Sequence, residues 1–127
     1  MSQLVTYQVR ADWFGDAPEV TLQVDLDILT PELAAEINDF WTDAENRLEA
    51  EEGNVLLTVI RLFGQVAIRY YMEDGGASFG PTTDTSHTEA VIEHQVEGWP
   101  AVEDLGILIT AAEVSVVDYY DVTLEAV

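Results

Sequence analysis

Residues 54–72, NVLLTVIRLFGQVAIRYYM, constrain the fold more than any other segment. Asn54 is a good helix N-cap, and Val55, Leu56, Val59, Ile60, Leu62, Phe63, Val66 and Ile68 leave few polar positions on the helix it opens. A helix apolar nearly all round must be covered on most sides, so it belongs at the centre. Gly64 inside it predicts a close approach by a neighbouring element.

The covering material is legible on both sides. Along Leu4–Phe14, Val5, Tyr7, Val9, Ala11 and Trp13 alternate with Thr6, Gln8, Arg10 and Asp12. Along Glu19–Ile28, Val20, Leu22, Val24, Leu26 and Ile28 alternate with Thr21, Gln23, Asp25 and Asp27. Period two means half-buried strands, and the Gly15–Pro18 turn joins them into a hairpin with one wet face. Thr30 and Pro31 open a helix in which Leu33, Ile37, Phe40, Trp41, Ala44 and Leu48 recur at helical spacing up to Gly53. A Gly-rich loop follows residue 73. Ser86-His87-Thr88-Glu89 reads as a capping box for a short helix ending at Gly98. Leu105–Ala112 and Asp118–Val127, rich in β-branched residues and Tyr, complete the set as strands. The expectation is one α+β domain over residues 1–127: a four-stranded antiparallel sheet packed by helices on one face, order ββαααββ.

Charge decides which functions are open. The chain holds 25 Asp or Glu against four Arg and no Lys, a net charge of −21, yet 48% of it is hydrophobic. That apolar content is too high for disorder. Four Arg cannot cover a phosphate backbone, so direct nucleic-acid binding is excluded, and an anionic membrane would repel the chain. The uninterrupted apolar runs are too short to span a bilayer, and no basic leader precedes an apolar stretch at Met1–Val9. Without Cys there is no disulfide, thiolate metal site or cysteine nucleophile. A cytoplasmic location is expected.

The positions of the carboxylates say more than their number. With Glu32 at zero on a helical wheel, Glu36 falls at about 40°, Asp39 at about −20° and Asp43 at about 20°. Four carboxylates thus share one face about 16 Å long, against one phosphate per ~3.4 Å along a DNA strand. Glu89, Glu93 and Glu97 repeat the spacing on the short helix, and Asp25 and Asp27 pair on the wet face of the second strand. Like charges at i, i+4 cost a few tenths of a kcal/mol each, and no Lys relieves them. Undirected surface acidity and salt adaptation both produce such faces, although the bulky Ile, Leu, Phe and Trp content argues against the latter. The third reading is a carboxylate array that imitates phosphates and enters a basic nucleic-acid-binding groove. Trp41, Trp99 or Tyr119 would add shape at its edge if exposed.

Catalytic and metal signals do not rise above background. His87 and His94, seven residues apart, match no zinc pattern, and Asp25-x-Asp27 lacks the rest of a calcium loop. No Lys exists for a phosphate loop, and no carboxylate pair stands out as an acid–base dyad. The chain is expected to be no enzyme and to need no cofactor or metal.

The segment LTPELAAEINDFWTDAENRLEAEEGNVL, Leu29–Leu56, resembles a small uncharacterised family of bacteriophages and proteobacterial prophages. Thr30-Pro31-Glu32, Ile37-Asn38 with Phe40-Trp41, Gly53 and the following apolar helix carry the likeness, with Glu97-Gly98-Trp99-Pro100 beyond it. The resemblance implies a mobile-element origin, a setting in which small acidic proteins often inhibit restriction or CRISPR surveillance. The expected partner is a basic nucleic-acid-binding host protein or complex. The alternative is a phage interaction or assembly module whose acidity serves solubility alone. A homodimer stays open.

Overall fold

The computed structural model describes residues 3–12, 17–117 and 119–127. Strands β1 (Leu4–Arg10), β2 (Glu19–Asp25), β3 (Ala77–Phe79) and β4 (Ile107–Val114) pair antiparallel in the order β1-β2-β4-β3. Val9 lies opposite Val20 and Tyr7 opposite Leu22, while Leu22 lies opposite Ile109 on β4. This register puts every inward apolar residue of the hairpin on one face. Val20, Leu22, Val24, Ile107 and Ile109 are fully or almost fully buried, whereas Thr6, Gln8 and Arg10 on the other parity are exposed. The hairpin therefore has the one wet face its alternation implies.

Helix α3 (Val55–Glu73) crosses the buried face, touching β1, β2 and β4. Asn54 caps it by accepting from the Leu57 N–H at 3.1 Å. A Cβ on Gly64 would lie 2.5 Å from Val9 Cβ, so the expected close approach is the contact with β1. The helix is central but not covered all round: Arg61, Gln65, Arg69 and Glu73 form an exposed stripe. By length and composition α3 could cross a bilayer, which the short uninterrupted runs did not suggest; half of its apolar window is buried within the fold.

Three sequence expectations need correction. The helix opened by Thr30 and Pro31 is two helices, α1 (Pro31–Phe40) and α2 (Ala44–Ala50). Trp41 turns extended at its C-cap and Asp43 adopts φ 74°, which ends the helical path even though the apolar spacing continues. The short helix α4 (Ser86–Gln95) has its N-cap position one residue early, at Thr85, whose side chain makes no cap hydrogen bond and instead donates its hydroxyl to the Glu89 carboxylate at 3.1 Å. The expected strand Asp118–Val127 does not form over its described residues, where Tyr119–Asp121 make a 3-10 turn and no regular structure follows. β3 takes the slot beside β4 instead. β-branched composition alone does not make a strand when another segment already holds the partner. Trp13 and Phe14, the expected end of the first strand, lie outside the described residues.

The β4 edge that β3 leaves open is closed from α4. The Ile109 N–H donates 2.9 Å to the hydroxyl of Thr88, which is fully buried. A single turn, α5 (Val102–Leu105), leads into β4 through Gly106.

Candidate functional site

The four arginines come from distant parts of the chain, yet all line one groove of about 570 Å³. Its floor is the α3 stripe Thr58, Arg61, Leu62, Gln65, Ile68, Arg69 and Met72, its walls α2 and the β1 end at Val9–Ala11. Arg10 grips Glu19 through Nε at 3.0 Å and Nη2 at 2.8 Å, and Arg61 reaches Glu51 at 2.5 Å. Among the described residues Arg47 pairs with no carboxylate. It donates to Asn38 Oδ1 and to the carbonyls of Asn38, Trp41 and Thr42, neutralising the C-terminus of α1. Arg69 has no hydrogen-bond or ion-pair partner among the described residues. This gathering went unseen in the sequence; only the eight-residue interval from Arg61 to Arg69, on one side of a helix, hinted at it.

Collecting the cations here leaves carboxylates over much of the remaining surface. Glu32, Glu36 and Asp39 are exposed on α1 and keep the expected row, with about 5 Å of axis per charge. Asp43 does not extend it. Past the end of α1, Asp43 accepts from Asn46 at 2.5 Å and lines the arginine groove. On α4, Glu89 and Glu93 are exposed one turn apart, but Glu97 lies beyond the helix end. Its neighbour Gly98 sits against the Phe40 and Trp41 rings, which carries Glu97 to the C-terminal end of α1. Asp25 closes β2, and its carboxylate accepts from the Asp27 N–H at 3.0 Å, so Asp27 stands in the turn and not on the strand. Asp25 and Glu89 share a second concavity with Glu103, an acidic position the sequence did not single out. The nine carboxylates therefore form clusters on several elements, with α1 as the one regular row.

The aromatics divide between core and surface. Trp99 is buried edge-on to Phe63, and Trp41 is half-buried beside it at 6.5 Å between ring centroids. Tyr119 is 82% exposed and could serve as an edge contact. The two histidines have separate surroundings: His87 stacks on Phe79 at 3.8 Å, while His94 is 3.4 Å from Glu73 and meets Tyr70 edge-on. Among the described residues no three His, Asp or Glu side chains are placed to hold a metal ion. Asp84 accepts from the Ser86 N–H, and that bond holds its carboxyl below the ordinary range.

The chain is thus an acidic α+β domain with its four arginines on one groove and a regular carboxylate row on a neighbouring helix. The chain belongs to the family described as protein of unknown function DUF2528, whose model matches residues 19–124. It is 29% identical to the protein ea10 of Escherichia phage lambda and to the lambda prophage-derived protein ea10 of Escherichia coli O6:H1 strain CFT073. Both alignments cover 99% of each chain, so the phage and prophage likeness extends well beyond the middle of the sequence. No solved structure matches the chain.

Proposed function

We propose that this phage-type protein acts by binding alone: an acidic mimic of nucleic acid that occupies the basic groove of a bacterial defence complex in the host cytoplasm. A CRISPR surveillance or restriction complex is the target class. The observation that supports this reading is charge segregation. With the arginines withdrawn into one groove, Glu32, Glu36 and Asp39 face solvent with no cation between them on α1. A groove built to neutralise phosphates would be drawn to such a row at long range, and counterion release would favour the contact.

The test is a pull-down from host lysate at low and high salt, followed by competition with duplex DNA for the captured protein. Glu36→Lys with Asp39→Lys should weaken capture by more than about tenfold, equivalent to about 1.4 kcal/mol. Glu45→Lys with Glu49→Lys, also exposed but on α2, should matter less. Glu51 is unsuitable as a control because it pairs with Arg61. Equal capture of both variants and the parent at moderate salt would favour an assembly module whose acidity serves solubility alone.

A further inference from the structure

The two edges of the sheet differ in how they are protected. β3 offers three residues and runs into Gly80-Pro81. Beyond it the free groups of β4 are taken: Thr82 N–H donates to the Thr110 carbonyl at 2.8 Å, and Ile109 N–H to Thr88 at 2.9 Å. Short strands, Pro and capped backbone groups keep a sheet edge from pairing with other chains. β1 has none of these. It is seven residues long, its register with β2 is unbroken, and it contains no Pro, Lys, Asp or Glu. Residues 1–11 hold no acidic side chain, in a chain that has 25 of them.

The outward backbone groups of β1 follow from the ladder. Ala11 N–H donates to the Pro18 carbonyl and Leu26 N–H to the Gln3 carbonyl, each at 2.9 Å, so odd-numbered residues face β2. Leu4, Thr6, Gln8 and Arg10 therefore aim their N–H and C=O groups away from the sheet, with no partner among the described residues.

A second β1 fits this edge. Antiparallel pairing about a two-fold axis at Tyr7 sets Leu4 opposite Arg10 and Thr6 opposite Gln8, outward groups against outward groups, for about eight backbone hydrogen bonds. Val5 falls opposite Val9, and Tyr7 opposite the Tyr7 of the second copy, so the half-buried inner face stays apolar across the join. On the wet face, Arg10 is paired with Glu19 and Leu4 with Asp25 within each copy. One row across the join therefore reads Glu19, Arg10, then Leu4 and Asp25 of the second copy. Arg10 spends Nε and Nη2 on Glu19, which leaves Nη1 for that Asp25, two strand spacings or about 10 Å away. Its stem would cover Leu4, which is 54% exposed. Moving the axis to Thr6 or Gln8 shortens the pairing and takes Arg10 off the row of Asp25. The net charge of each copy opposes association, but at physiological ionic strength a charge reaches only about 8 Å, and the joined strands carry no carboxylate.

We infer that β1 is a homodimer interface, through which two copies of this chain pair about a two-fold axis at Tyr7 and join their sheets into one. A single self-complementary patch used twice closes the assembly.

Sedimentation equilibrium of the full chain at high micromolar concentration should show a dimer. Because the chain has no Cys, one introduced thiol reads the register. Tyr7→Cys should oxidise to a linked dimer, since the axis brings the two Cα atoms to about 4.5 Å. Val5→Cys and Val9→Cys should each link poorly alone and well when mixed. Gln8→Pro removes an outward N–H without touching the β2 ladder, and should give a monomer that circular dichroism and thermal unfolding report as folded. Thr6→Lys with Gln8→Lys puts like charges opposite each other and should weaken the dimer about tenfold or more, although it lowers the net negative charge by two. Thr6→Lys with Gln8→Glu should keep the dimer. A monomeric full chain overturns the inference, as does a dimer that survives Gln8→Pro or responds alike to both charge pairs. Linkage of Val5→Cys alone ahead of Tyr7→Cys rejects the register. If β1 amides gain hydrogen-exchange protection only when a protein from host lysate is bound, the edge belongs to a foreign strand and the second-copy assignment is wrong.

Discussion

Arg47 binds Asn38 twice, through Nε to the side-chain oxygen at 2.9 Å and through Nη2 to the backbone carbonyl at 3.0 Å. Asn38 is 2% exposed and spends its own N–H₂ on the Ala44 carbonyl at 3.1 Å. The pair locks the break between α1 and α2. Arg47→Met should cost about 2 to 3 kcal/mol, because a buried amide oxygen and several carbonyls lose their donor. Arg47→Lys should recover little of it, since one ammonium cannot reproduce the planar fork. Urea midpoints at constant m-value would read both effects.

Gly64→Ala should destabilise by about 1 to 3 kcal/mol, because its Cβ would meet Val9 Cβ, Cγ1 and Cγ2 at 2.5 to 2.6 Å. In a Val9→Gly background, which removes the Cβ as well as both methyls, the same change should turn neutral or favourable, as Ala gains about 1 kcal/mol over Gly within a helix. A double-mutant cycle by thermal unfolding gives the coupling. Additive costs would mean that Val9 is not the obstacle.

These two cases show what the residues made legible. The hairpin, the central helix and the close approach at Gly64 each rest on a local pattern, and each is present. The break at Trp41–Asp43 depends on Arg47 reaching back nine residues to Asn38, which no periodicity encodes. β3 has three residues, too few for alternation to register. The arginine groove joins positions 10, 47, 61 and 69, and the carboxylate row stops at Asp39 because Asp43 fits the wheel but not the helix.

Thr88→Val should leave the Ile109 N–H buried without an acceptor and cost about 1 to 3 kcal/mol, whereas Thr88→Ser should keep most of the stability. Exchange of the Ile109 amide, followed by NMR, should accelerate only in the valine variant.

Burial pushes the Tyr71 phenol up to about 12, with the neighbouring Tyr70 and Asp74 adding to the effect. The folded state thus favours the protonated form. Its contribution is complete below the ordinary value of 10 and is lost as pH rises from there through about 12. The Tyr71 hydroxyl also has no hydrogen-bond partner among the described residues. Tyr71→Phe should therefore be neutral to stabilising near pH 7 and should move alkaline unfolding to higher pH. A titration of near-ultraviolet circular dichroism in both proteins would decide it, and earlier alkaline unfolding of the variant would count against this account.

Salt should act with opposite signs on folding and on target binding. Raising NaCl from about 0.05 to about 0.5 M screens the self-repulsion of the chain and should raise its thermal midpoint. The same change should loosen a complex held by carboxylates against a basic groove. Calorimetry across that range separates the two responses, and a binding constant indifferent to salt would remove the electrostatic basis of the proposed function.

Arg10, Arg47, Arg61 and Arg69 share one groove, while Glu32, Glu36 and Asp39 on α1 and Glu89 and Glu93 on α4 are exposed outside its lining. The molecule consequently carries an electric dipole as well as a net charge. Near a cationic surface it experiences a torque that turns the arginine side away before any atoms touch. Orientation on approach is thereby set by the fold of a helix and a strand edge, and the first encounter is already biased toward one hemisphere.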